Sequence, residues 1–223
     1  MSETRIAILG GVGSGTIVAQ AIADLSKSGA AISCYGYFND LMPPGECIGG
    51  IPVIGPFEAW NDLPADVLLI PAIHKVGEMA RRIARIEGLG IPNARFTSVV
   101  HPTACIANDV TIAAGSYVGP HTVIMPGARV GQRTSLRAGS YISHEVCIGD
   151  WCFVGPNTVV SGRCRLDTAA YLGPGVNVRE ELLVGRYATA GLGAVVIHDV
   201  PAEATVAGNP ARQISRQGPE IGK

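Results

Sequence analysis

Val118-Gly119-Pro120-His121-Thr122-Val123-Ile124-Met125-Pro126-Gly127-Ala128-Arg129-Val130-Gly131-Gln132-Arg133-Thr134-Ser135-Leu136 carries an aliphatic residue at every sixth position, and that register holds without a slip from residue 100 to residue 196. A period of six fits neither the roughly 3.6 residues of a helical turn nor the two of a lone strand. It marks a solenoid, in which each short repeat buries its apolar residue between neighbouring coils. The fifth position of each repeat is usually small, as in Ala104, Ser116, Thr122, Ala128, Ser140, Thr158, Ala170 and Ala188. Three short strands per coil would then form a triangular prism, with aliphatic side chains stacked inside and small residues at tight corners. Burying each aliphatic side chain contributes roughly 1.5–3 kcal/mol, enough in sum to hold a column one side chain wide. Glycine recurs at the second position (Gly119, Gly131, Gly149, Gly155, Gly173, Gly185), where turns with unusual dihedrals are expected. A prism exposes apolar surface at both ends. The expectation is that the N-terminal segment caps one end and residues 201–214 close the other.

Residues 1–95 follow a different period. Residues 5–9 read as an apolar strand, followed by the loop Gly10-Gly11-Val12-Gly13-Ser14-Gly15 and a helix over 16–27 that stops at Gly29. Strands follow at 31–38 and 66–70, then a helix at 76–86 with Arg81, Arg82 and Arg85 on its wet side. This alternation predicts a small Rossmann-like parallel sheet. The fold class is therefore α/β plus β-solenoid, with an α/β domain at 1–95, a parallel β-helix at 96–200 and a cap and tail at 201–223. Glycines let a loop approach a ligand closely, and the helix behind it offers free N–H groups to a phosphate. The spacing is GxxGxG and not the GxGxxG of dinucleotide enzymes. The loop thus reads as a nucleotide-diphosphate seat, with a ligand-free tight turn as the alternative.

Composition narrows the partners. A net charge of −1 with no basic block argues against nucleic acid. No apolar stretch reaches the roughly 18 residues of a membrane span, and residues 1–5 lead straight into a strand, so a cytoplasmic location is expected. Six dispersed cysteines without a CxxC pair disfavour a zinc site or a disulfide framework, and no metal is expected. Cys152 and Cys164 sit at the small fifth position and read as reduced core thiols.

The repeats, the glycine loop, Phe38-Asn39-Asp40, Ile48-Gly49-Gly50-Ile51-Pro52-Val53-Ile54-Gly55, Ser143-His144-Glu145, and the ending Asp199-Val200-Pro201 through Ala207-Gly208-Asn209-Pro210-Ala211 together resemble the PglD/NeuD-type bacterial sugar acetyltransferases of the left-handed β-helix superfamily. The likeness covers nearly the whole chain. It implies a homotrimer with acetyl-CoA in the groove between two prisms and a nucleotide-linked amino sugar on the N-terminal domain. His144 lies at the third position of its hexapeptide, where a side chain leaves the prism, and a neutral imidazole there can act as general base. Glu145 would orient it. By the same resemblance Phe153, Gly162, Pro174 and Leu192 fall at acetyl-CoA positions, and Val12, Gly13, Ser14, Asn39, Asp40 and His74 at acceptor positions. The chain departs from the family pattern at Ser14 and Phe153, where histidines are usual, at Asn39-Asp40, which offers one carboxylate, and in the loop Pro71-Ala72-Ile73-His74-Lys75. The implied reaction is N-acetylation of a nucleotide-linked amino sugar. O-acetylation, or acylation of a non-sugar acceptor, shares the same base, and a non-catalytic β-helix is the reading from another class. His101 reads as structural, His121 and His198 as exposed turn residues.

Overall fold

A computed structural model describes residues 3–214; the end of the expected tail, 215–223, lies outside the described residues. The first layer is a five-stranded sheet in the order β3-β4-β2-β1-β5. Its strands are β1 (Thr4–Gly10), β2 (Ile32–Phe38), β3 (Cys47–Ile48), β4 (Ile51–Gly55) and β5 (Val67–Ala72). Helices α1 (Ser14–Lys27) and α2 (Met79–Glu87) accompany it. β1 pairs in parallel with both β2 and β5. As an inner strand, flanked by β2 and β5, it buries Ile6 to Leu9 at 0–1 % exposure, which explains why it is apolar at successive positions and not alternately.

Two local expectations differ. The β3–β4 hairpin was not expected, because its first strand has two residues and carries no period. Its signal is Gly49-Gly50, both at positive φ (59° and 82°), the pair a tight two-residue hairpin turn requires. The second helix begins at Met79 and not at 76, because Gly77 adopts φ 75° and ends the turn before it. Among the described residues no helix is long and apolar enough to cross a membrane.

From Val99–Val100 onward the chain winds into two-residue strands that pair in parallel with the strand eighteen residues on, as Leu136 does with Val154. Successive strands join three different sheets in rotation, which gives the three faces of the prism. The first-position aliphatics Val118, Ile124, Leu136, Ile142, Val154, Val160 and Leu172 are all 0–1 % exposed. The fifth-position residues also point inward and tie coils together. Ser116, Thr122, Thr134 and Thr158 each donate a hydroxyl to the carbonyl fifteen residues on, at 2.8–3.1 Å. The Cys152 and Cys164 thiols repeat that bond to Asp167 and Arg179.

The glycine expectation is corrected. Positive φ falls at the fourth position of the repeat, at Gly115, Gly127, Gly139, Gly175 and Gly193, and equally at His121, Arg133, Glu145, Trp151, Asn157 and Arg163. Glycines at the second position serve a different end, the close approach of one coil to the next. A β-carbon on Gly131 would lie 2.5 Å from the Gly149 carbonyl carbon, and one on Gly155 would lie 2.6 Å from that of Gly173.

The placement of the first domain is also corrected. It does not sit on the end of the prism but along its side. Trp151 and Ala169 join the core formed by Phe38, Phe57, Trp60, Leu69, Ile83 and Phe96, while Val99 and Tyr117 pack with Ile8, Ile22 and Ile70. His101 Nε2 reaches Asp24 on α1 at 3.3 Å, and Trp151 Nε1 donates to Glu87 at 3.2 Å. The first coil keeps Val100, Ile106 and Ile112 only partly buried. At the other end the antiparallel pair Thr205–Ala207 and Arg212–Ile214 adds to the last coil, and Val200 and Val206 complete the core there.

The coil contacts give a direct test. Gly155→Ala drives a β-carbon into the backbone of the next coil and should cost at least about 1–3 kcal/mol in urea unfolding. Gly193→Asn adds a side chain where nothing lies within 4 Å, at a φ of 65° that Asn tolerates, and should stay within about 1 kcal/mol of the parent.

Candidate active site

His144 follows the strand Tyr141–Ile142 and turns the corner toward Cys147–Ile148 on the next sheet. Its backbone is held on all sides. Ser143 N donates to Val160 O and Glu145 N to Pro126 O, while His144 O accepts from Arg163 N at 3.0 Å. The imidazole is half-exposed and lies over Gly162, eighteen residues on. A β-carbon on Gly162 would stand 2.5 Å from His144 Nε2 and 2.6 Å from Cε1, so only glycine leaves room for the ring. On the other side Nδ1 lies 3.3 Å from Glu145 Oε2. A neutral imidazole that donates a hydrogen bond from Nδ1–H to this carboxylate keeps the Nε2 lone pair free. The arrangement is that of a held, solvent-accessible base.

A second concavity, about 560 Å³, opens on the first domain. Val12, Ser14, Asn39, Asp40 and His74 all line it, and Gly13 adjoins it as the N-cap of α1. Gly13 has φ 91° and no side chain, so the first N–H groups of α1 carry no side-chain cap. Asn39 and Asp40 are already engaged. Asn39 donates to Gly10 O and accepts from Leu41 N, and Asp40 accepts from Phe57 N through one oxygen and from Arg85 through the other. Both therefore shape the rim of the cleft.

The helical pattern alone puts Arg81, Arg82 and Arg85 on a merely wet face, but all three line this cleft together with Lys75. Glu78 gathers Lys75, Arg81 and Arg82, which hold its carboxyl down at about 2. Arg85 pairs with Asp40 and Glu58. The signal that could have found them was their i, i+1, i+4 spacing at the carboxyl end of a parallel sheet, where ligands bind such folds.

His74 follows β5 at the seam between the domains. Its ring lies 6.0 Å from Phe153 and 6.5 Å from Trp151, and Nε2 is buried without a partner among the described residues. Burial first, and then the charge of Arg137, push its pKa down to about 3, against a smaller opposing contribution from the Arg133 main chain. The ring is neutral throughout the physiological range.

The remaining positions lie apart from one another. Phe153 is buried under the first domain, stacked on Tyr171 at 4.4 Å. Pro174 and Leu192 follow Tyr171–Leu172 and Thr189–Ala190, so they share a prism edge, but not the edge of His144 and Gly162. Both are exposed, Leu192 at 80 %. Pro174 has no N–H, and the Leu192 N–H takes no hydrogen-bond partner among the described residues. One chain thus brings together His144, Glu145 and Gly162 on one edge, and Val12 to His74 in the cleft. It leaves Pro174 and Leu192 on a third surface.

Comparison with known proteins defines the class. Residues 127–162 match the family model described as bacterial transferase hexapeptide, six repeats. A UDP-3-O-acylglucosamine N-acyltransferase from Cupriavidus pinatubonensis (strain JMP 134 / LMG 1197) is 42 % identical over 43 residues, which are 19 % of this chain and 12 % of that protein. The match thus spans about an eighth of that curated relative. The acetyltransferase domain of PglB from Neisseria gonorrhoeae FA1090, solved in complex with acetyl coenzyme A, superposes with a TM-score of 0.82 and 26 % identity over 96 % of this chain and 100 % of that one. A perosamine N-acetyltransferase from Caulobacter crescentus, solved as a mutant in complex with CoA and GDP-perosamine, shares the fold with a TM-score of 0.82 at 23 % identity, over 94 % and 96 %. The fold is a left-handed parallel β-helix behind a Rossmann-like sheet, and the protein is a hexapeptide-repeat acyltransferase. Over nearly its whole length it is similar to the acetyltransferase domain of the Neisseria protein.

The buried neutral His74 has a measurable consequence. Between pH 6.5 and 3 the unfolded chain binds a proton at this residue that the folded chain does not, so stability falls as pH drops. The depressed carboxyls Glu58, Asp66 and Glu78 add to acid unfolding only below about pH 4.5. Stability from urea unfolding, followed from pH 7 to 5, should therefore decline by up to about 1.4 kcal/mol per unit from this group, and His74→Gln should flatten that slope.

Proposed function

We propose that this protein is an acetyl-CoA-dependent N-acetyltransferase acting on an amino sugar linked to a nucleotide diphosphate, with His144 as general base. One observation carries the reading. His144 is locked by main-chain bonds, leans on Glu145 through Nδ1, and presents Nε2 over the gap kept open by Gly162. In the reaction His144 Nε2 takes a proton from the acceptor amine as its nitrogen bonds to the thioester carbonyl carbon. Glu145 stabilises the imidazolium so formed. As the carbon–sulfur bond breaks, the proton on Nε2 returns to the leaving thiolate, and the base is restored. The acetyl donor is supported by the acetyl-coenzyme-A complex of the similar Neisseria domain.

The same geometry supports a homotrimer. His144 on one prism edge, Pro174 and Leu192 on another, and the cleft on a third surface cannot serve one substrate within a single chain. A rotationally repeated copy brings unlike edges face to face and closes the groove for the donor. The cleft of the first domain, with the uncapped start of α1 and its lining of cations, would hold the nucleotide diphosphate.

Release of CoA from acetyl-CoA in the presence of UDP-, GDP- and dTDP-linked amino sugars tests the reading, and no release with any of them would refute it. His144→Ala should lower kcat by at least roughly 10²-fold, the lower range for loss of a general base. Gly162→Ala should produce a loss of similar order by displacing the ring, with His144 itself still present. A His144→Ala protein at full activity would move the base elsewhere.

A further inference from the structure

Arg137 reaches from the β-helix to the first domain. It follows the strand Ser135–Leu136 at the second position of its repeat, a place often taken by glycine in other coils. Its guanidinium lies 5.7 Å from the ring centre of Tyr117 and 5.5 Å from that of Phe153. Its polar contact is the Ser14 hydroxyl, 3.4 Å from Nη2, at the first residue of α1. Among the described residues no carboxylate lies within ion-pair distance of it, whereas Arg81, Arg82, Arg85 and Lys75 of the neighbouring cleft each have a carboxylate partner. A largely desolvated cation without a counter-charge is costly, and structures rarely keep one unless something else supplies the anion.

Three features converge on the same spot. The start of α1 offers uncapped N–H groups beside Ser14. His74 and Arg137 both lie against Phe153, and His74 Nε2 is buried with its hydrogen-bonding capacity unused. Ser14 and His74 both line the cleft, and Arg137 touches Ser14 from the prism side, behind that lining. A neutral imidazole suits this place, since it stands beside a guanidinium without repelling it, and in the tautomer with its proton on Nε2 it donates a hydrogen bond to an anion.

We propose that Ser14, His74 and Arg137 form an anion-recognition seat across the domain seam, with Arg137 as the specificity-determining residue that completes the cleft from the β-helix side. Its ligand is an oxyanion of the acceptor, either a phosphate of the nucleotide diphosphate or a carboxylate on the attached sugar. This rests on the function proposed above and deepens it, by requiring a negatively charged acceptor group at the junction of the two domains. It also accounts for the absence of glycine at residue 137, where a side chain had to cross the seam.

The test is calorimetric binding to the full-length wild-type, Arg137→Met and His74→Leu proteins. The probes are inorganic pyrophosphate, UDP, UDP-glucose, UDP-glucuronate, GDP-mannose and GDP-mannuronate. Arg137→Met preserves the packing on Tyr117 and Phe153, and near-ultraviolet circular dichroism and Tm establish that each variant is folded. Removal of the uncompensated charge should leave the Tm of the free Arg137→Met protein unchanged or higher. If the anion is phosphate, Arg137→Met weakens pyrophosphate and every bound nucleotide at least tenfold. If it is the sugar carboxylate, UDP-glucose and GDP-mannose are unaffected, and only the uronates weaken. Either pattern, with a smaller loss in His74→Leu, supports the seat. Wild-type affinity for every probe in Arg137→Met, a marked fall in its free Tm, or no binding of any probe to the wild type would overturn it. CoA release is scored separately. Arg137-dependent anion binding without acetyl transfer sinks the proposed reaction but leaves the seat standing.

Discussion

Everything in this molecule depends on one coil lying directly upon the next. The parallel ladders pair residue i with residue i+18 along all three faces, and the second-position glycines bring backbone against backbone at distances a single β-carbon would close. That constraint sets the chemistry as well as the core. His144 lies over Gly162 because they are eighteen residues apart, and its carbonyl is fixed by the Arg163 amide for the same reason. The His144 main chain is positioned by the ladder and not by a loop, so its placement needs no ordering of the backbone.

The same constraint explains what was legible beforehand. A six-residue aliphatic period has one structural solution, so the prism and its inward residues could be read from the sequence. The period does not say which of the non-aliphatic positions turns. Glycine suits both a left-handed turn and a close approach, and here the second-position glycines mark the approach while Arg133, Glu145, Trp151 and Asn157 take the turn at positive φ. The β3–β4 hairpin is illegible because its first strand, two residues long, has no periodicity. The lateral docking of the first domain is illegible because its signal lies in scattered outward aromatics, Tyr117, Trp151 and Tyr171, which the repeat treats as variable.

The candidate site divides in the same way. His144 and Glu145 stand out because they interrupt a bland repeat at an outward position. Asn39 and Asp40 stand out for their polarity, yet their side-chain bonds go to the protein's own main chain and to Arg85. Arg137 carries no such mark. Its meaning arises only when a residue more than one hundred positions earlier, Ser14, is brought against it. Sites built across a domain seam are the least legible in sequence, because neither half is complete and each half alone passes for surface.

Charge is distributed accordingly. The cations on α2 are paired within the first domain with Glu78, Asp40 and Glu58, and because Lys75 shares Glu78 the mouth of the cleft keeps one positive charge in excess. His74 is kept neutral by the burial that places it beside Arg137. Had it been charged, it would add a further cation to an apolar seam that already holds Arg133 over Trp151 and Arg137 over Phe153, and the docking of the domains would weaken. The neutral ring leaves the seam closed around these two guanidinium groups, neither of which forms an ion pair among the described residues. The docking of the first domain on the prism and the recognition of an acceptor then rest on the same side chains, so a substitution there should be judged by binding and stability together.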